Sequence, residues 1–115
     1  MAKLTNARIK KTAKLNSHLS SPFSICFKHK LMNGYTFEGL SARDLKIWQG
    51  FLDLASQMTF EQAERRYRRI SDDTDTFDGE QIIHYAIGEA FRIHGVIENG
   101  QFVVLRMDPT HKFHR

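Results

Sequence analysis

An α+β domain with a mainly antiparallel sheet is the fold class this sequence predicts, and three observations predict it. Two strand-like runs, Phe91 to Glu98 and Gln101 to Met107, flank Asn99-Gly100, the signal of a two-residue hairpin. Two capped stretches of helical period follow one another between residues 41 and 70. Strand-period chemistry stands before them at Phe23 and returns after them at Ile82. That order places two consecutive helices between a first strand or hairpin and a C-terminal strand meander, with the elements segregated rather than alternating.

Taken in order, residues 1–21 scatter Leu4, Ile9 and Leu15 among Lys, Thr, Asn and Ser, and read as a basic, flexible arm ahead of a single domain over 22–115. In "FSICFKHKL", Phe23, Ile25 and Phe27 alternate with Ser24, Cys26 and Lys28, the pattern of a half-buried strand. Asn33-Gly34 supplies a tight turn before the short apolar piece from Tyr35 to Phe37. Ser41 caps the first helix with Asp44 three residues on, and Leu45, Trp48, Leu52 and Ala55 form its expected core stripe. Thr59 and Gln62 open the second helix, with Phe60, Ala63, Tyr67 and Ile70 as a narrow apolar seam.

The four Asp of Ser71 to Gly79 read as an acidic surface loop or a flexible connection, able to fold back on the basic arm. "IIHYAI" reads as a strand ending before Gly88. A two-residue turn at Asn99-Gly100 sets Ile97 opposite Phe102 and His94 opposite Leu105. In that register Arg92, His94 and Leu105 share one face, and Arg106 lies on the other with Phe91, Ile93, Ile97 and Phe102.

Charge narrows the function class. The chain of 115 residues carries a formal net charge of +4, and residues 1–37 hold seven Lys or Arg and no acidic residue. Such a segment attracts phosphate whatever the base sequence, although an acidic partner protein or a solvated tail fits the charge as well. Lys10, Lys11, Lys28 and Lys30 are its candidate nucleic-acid contacts. Arg65, Arg66, Arg68 and Arg69 are placed by the narrow seam on the exposed surface of the second helix, where arginine suits bidentate phosphate or carboxylate recognition, or simply a solvated face. No apolar run of membrane-spanning length occurs, no secretory leader is read at the start, and Cys26 is the single cysteine, so the expectation is a cytoplasmic protein without a disulfide.

The C-terminal hairpin gathers the remaining chemistry. Metal-free RNA cleavage needs a base for the 2′-hydroxyl, a cation for the charged transition state and an acid for the leaving oxygen. His94 beside Arg92, with His111 and Lys112 beyond the hairpin, supplies those group types, and Arg106 and Tyr85 add a phosphate contact and a ring for base stacking. The six histidines lack acidic or cysteine partners at ligand spacing, so neither a metal nor another cofactor is expected. Triads, phosphate-binding glycine loops and paired carboxylates are missing from the sequence as motifs.

Two blocks, "FSICFKHK" with "LASQMTFEQA" and then "FRIHGVIENGQFVVLRMDPTHK", resemble a group of small bacterial proteins often carried on mobile elements. Their shared features are a Phe-Ser strand, a Ser-Gln-x-Thr helix junction and an R-[IV]-H-G…F-x-V-L-x-x-D-P-x-H-K ending. The resemblance spans residues 22–113 and implies domain limits without supplying a mechanism. The element order and the basic final strands are more loosely similar to the RelE/ParE class of toxins, which contains messenger RNA cleavers and gyrase poisons. It implies a small toxin or defence effector, a metal-independent endoribonuclease of a toxin-antitoxin pair, with a cognate antitoxin as partner. The arm ahead of the first strand departs from that class. It leaves open a non-catalytic nucleic-acid- or protein-binding protein of a phage or mobile element that blocks replication or a defence complex, or a purely structural accessory domain.

Overall fold

A computed structural model describes residues 17–113 of the chain. The α+β arrangement is present, with both helices between strands of a mainly antiparallel sheet. The strands are β1 (Ile25–Cys26), β2 (Arg68–Arg69), β3 (Thr76–Phe77), β4 (Glu80–Gln81), β5 (Ile83–Ala86), β6 (Arg92–Glu98) and β7 (Gln101–Asp108). Five of them form one sheet in the order β1-β7-β6-β5-β2, while β3 and β4 pair as a separate small hairpin. Among the described residues only the β1–β7 strand pair is parallel. Among the described residues no helix is long and apolar enough to cross a membrane.

Both helices begin where side chains satisfy the first free backbone N–H groups. In α1 (Ala42–Ala55) the Asp44 amide donates to the Ser41 hydroxyl at 3.1 Å, and the Ser41 amide donates back to the Asp44 carboxylate at 2.9 Å. Thr59 and Gln62 repeat the exchange at the start of α2 (Phe60–Tyr67). α1 buries Trp48, Phe51 and Ala55 against the sheet, so its inward face is turned from the expected stripe towards Phe51 and Ile47. Leu45 and Leu52 lie on its exposed flank. The sequence offers two overlapping apolar stripes that share Trp48 and Ala55, and the large Phe51 ring fills the space above Tyr67 at 4.8 Å.

α2 buries Phe60, Ala63 and Tyr67 as its seam predicts, but the helix stops at Tyr67. Arg68 turns directly into β2, pairing with Tyr85 while Arg69 pairs with His84. Ile70 therefore leaves the seam and stands fully exposed, and Arg68 and Arg69 belong to an edge strand rather than to the helix.

The expected strand from Phe23 to Leu31 contracts to Ile25–Cys26. The chain before it is held by the helix junction, where Phe23 N–H donates to Met58 carbonyl and Phe60 N–H to Ser21 carbonyl, both at 2.9 Å. Residues 17–21, assigned to the arm by sequence, contain a 3-10 turn, Ser17–Ser20, and the His18 ring meets Phe60 edge-on at 4.7 Å. Lys10 and Lys11 lie outside the described residues.

The Asn99-Gly100 turn forms with φ of 51° and 76°, and Ile97 faces Phe102 as the turn dictates. Beyond Gly95 the register changes: His94 pairs with Arg106, not Leu105, because a β-bulge places one extra β7 residue there. Only glycine fits at the bulge, since a Cβ on residue 95 would stand 2.3 Å from the Val103 carbonyl oxygen and 2.8 Å from the Phe102 ring. Arg106 is thereby carried onto the face of His94, a reversal of the expected separation.

Candidate functional site

The sheet face turned away from α1 and α2 holds a buried polar network. Arg106 is its centre: Nε donates to His94 Nδ1 at 2.8 Å, Nη1 donates to Asp75 Oδ1 at 3.2 Å, and Nη2 donates to Asp75 Oδ2. His84 stacks on His94 with ring centroids 3.8 Å apart, and its Nε2 lies 3.5 Å from Asp75. His84, His94 and Arg106 are all buried. Asp75 comes from the segment expected to be a loose acidic loop; instead it precedes the β3–β4 hairpin and anchors that hairpin against the sheet.

The D-P-x-H-K ending closes this network. The buried Asp108 carboxylate accepts from the backbone N–H groups of Lys112 and Phe113 at 3.0 and 2.9 Å. His111 adopts a left-handed φ of 54° in the resulting turn. Phe113 is folded back so that the Arg106 guanidinium lies 3.7 Å from its ring centroid. His111 and Lys112 are exposed, with the Lys112 ammonium 5.1 Å from the Tyr35 ring.

These placements divide the residues expected to act. His94 and Arg106 are brought together, but under cover and bonded to each other. Arg92 uses its guanidinium to hold the preceding turn, donating to the carbonyls of Gly88, Glu89 and Phe91. Burial and the neighbouring Arg69 charge lower its pKa, and Asp108 opposes them. Tyr85 is fully buried and stacks on Phe102 at 4.3 Å, so its ring offers no face to a base. Burial and the nearby Glu64 carboxylate raise its pKa above the ordinary phenol range. Lys28 is exposed but pairs with Glu98 at 3.2 Å, a carboxylate that His29 also approaches, and Lys30 is exposed.

Arg65, Arg66, Arg68 and Arg69 are all exposed, along the end of α2 and the edge strand β2. Arg65 pairs with Glu61 at 2.9 Å and Arg68 lies 3.6 Å from Glu64. Arg69 donates to the carbonyls of Arg66 and Arg68, and the Arg66 guanidinium lies 5.7 Å from the Tyr67 ring; among the described residues neither has an ion-pair partner. Beside this ridge a cavity of about 510 Å³ opens between the Ser17–Ser20 turn, α2 and the sheet, lined by His18, Glu64, Arg65, Arg68, Ile83 and Ile97 among others. Sequence reasoning passed over His18 and Glu64: one falls in the stretch read as an arm, and the other looks like an ordinary helix-surface acid.

Among the described residues no three His, Cys, Asp or Glu side chains converge as metal ligands. No protein family, curated protein or solved structure matches the chain.

Proposed function

We propose that this protein binds single-stranded nucleic acid, RNA above all, through the arginine ridge of α2 and β2. The observation that carries the reading is the exposure of Arg65, Arg66, Arg68 and Arg69 on one continuous stretch of chain, with Arg66 and Arg69 outside the ion pairs of the described residues. Guanidinium groups so placed meet phosphates by charge-assisted, forked hydrogen bonds. Arg92, beside Arg69 in charge, extends the positive field towards the Gly88 turn. Binding of this kind fits a mobile-element protein that blocks a process on RNA or DNA.

The endoribonuclease reading has less support, because its acid or base is the sealed His94 and its preferred cation, Arg92, is engaged by backbone carbonyls. The test is fluorescence anisotropy with a labelled single-stranded RNA, using the double variant Arg66→Glu/Arg69→Glu and, separately, His94→Phe. The ridge variant should lose at least about 10-fold in affinity, from reversal of charges that meet phosphate, while the folded His94 variant binds as before. Unchanged affinity in the ridge variant refutes the interface.

A further inference from the structure

We propose that α1 forms the interface of a homodimer, its exposed flank packing antiparallel against the same flank of a second copy about a twofold axis beside Gln49. The surface is separate from the arginine ridge of α2 and β2.

α1 is apolar on more than its core face. Trp48, Phe51 and Ala55 enter the core, while Leu45 leaves about half of its surface exposed and Leu52 more than a third. At 3.6 residues per turn, positions 45 and 52 stand one above the other, and Trp48 lies one turn from each. Phe27 carries the apolar surface sideways, its ring 6.2 Å from Trp48 and 5.6 Å from Phe37. Phe27 and Phe37 are themselves nearly half exposed. A contiguous apolar surface of this kind, as opposed to single scattered side chains, marks a protein–protein contact.

Charge selects the occupant. Lys46 and Asp53, both exposed, border the leucines on one side of the helix, two turns apart. One cation and one anion cancel, so this border offers no net charge to phosphate or to a strongly acidic or basic protein. It does complement itself. In an antiparallel pair of α1 helices with the axis beside Gln49, Leu45 comes within one residue of the partner's Leu52, a height difference of about 1.5 Å. Lys46 comes equally close to the partner's Asp53, and the twofold axis makes each contact occur twice. A parallel pair would set lysine on lysine and aspartate on aspartate, which repulsion disfavours. The Gln49 amide donates to Asp53 Oδ1 at 2.7 Å, which draws this polar side chain towards the charged border and away from the leucines.

The experiment is sedimentation equilibrium of the full chain, without nucleic acid, from low to high micromolar concentration, with thermal melts of every variant. The wild type should approach twice the chain mass as concentration rises. Leu45→Glu/Leu52→Glu should remain monomeric, with its melt intact because both positions face solvent in the single chain. Lys46→Glu and Asp53→Lys should each weaken association by about 10-fold, since the axis repeats every like-charge contact. An equimolar mixture of these two variants should regain wild-type strength, because each reversed charge then meets its complement on the other chain. A wild type that stays monomeric, or a dimer that survives in the folded leucine variant, overturns the interface. Unchanged association in the charge variants, or no recovery on mixing them, overturns the antiparallel pairing, and these variants decide the matter if the leucine variant fails to fold. Dimerisation without RNA binding refutes the ridge alone; RNA binding by a strict monomer refutes the dimer alone.

Discussion

Arg106 donates through Nε to Nδ1 of His94 at 2.8 Å across the β6–β7 pair, with both side chains buried. The contact exists because the bulge beside Gly95 shifts the register by one residue. It fixes the His94 ring nitrogen as an acceptor and leaves the guanidinium fork free to grip Asp75. His94 thereby becomes part of the internal bracing of the sheet.

Removing one member of the buried ion pair should be costly. Asp75→Ala strands the Arg106 charge and is expected to destabilise the fold by about 3–5 kcal/mol, the usual scale for a buried pair broken on one side. Urea denaturation followed by tryptophan fluorescence from Trp48 reads this directly. A loss below about 1 kcal/mol, the surface-pair range, would show that Asp75 and Arg106 do not pair inside the protein.

Gly95→Ala tests the bulge. The added methyl would meet the Val103 carbonyl oxygen at 2.3 Å, a backbone atom that cannot rotate away. Overpacking of this kind costs about 1–3 kcal/mol or more, so the melting temperature should fall by several degrees. An unchanged melt would mean that the two strands pair without the shift.

The fold was legible in the sequence where local chemistry decides it, and obscure where a long-range contact does. Ser41, Thr59 and Asn99-Gly100 announce two helix starts and a hairpin because caps and turns are settled within four residues. The register beyond Gly95 was not legible, because a bulge declares itself only when the facing strand is in place. Leu45 and Leu52 carry the same period as the true core face of α1, and it is the rings of Phe23 and Tyr67, distant in sequence, that receive Phe51 in the core. Of the site, the four arginines stood out as a charge run. Their partner Glu64 did not, since a helical Glu near Arg is ordinarily solvated, and its burial depends on the sheet behind it.

Lys28 and Glu98 supply a pH-dependent prediction. The hydrogen bond from Lys28, helped by His29 and opposed by slight desolvation, holds the Glu98 carboxyl below its ordinary pKa. A depressed folded pKa contributes stability that is present above the unfolded value and is lost as pH falls through the folded one. Lys28→Met should therefore raise the Glu98 pKa towards the ordinary carboxylate value, as followed by carboxyl-carbon NMR, and trim stability slightly at neutral pH but not in acid. A Glu98 titration that stays where it was in Lys28→Met would assign the depression to another group.

Salt dependence is the most direct test of the arginine ridge as a phosphate-binding surface. For single strands the slope of log affinity against log salt falls by about 0.7 for each phosphate contact removed. Arg66→Gln/Arg69→Gln, which deletes two charges without reversing them, should make the slope shallower by about 1.4 on this scale, with the melting temperature unchanged. The slope is measured by titrating a single-stranded RNA at four salt concentrations with each protein. A slope equal in the wild type and the folded double variant would contradict the account and place the phosphates elsewhere on the molecule.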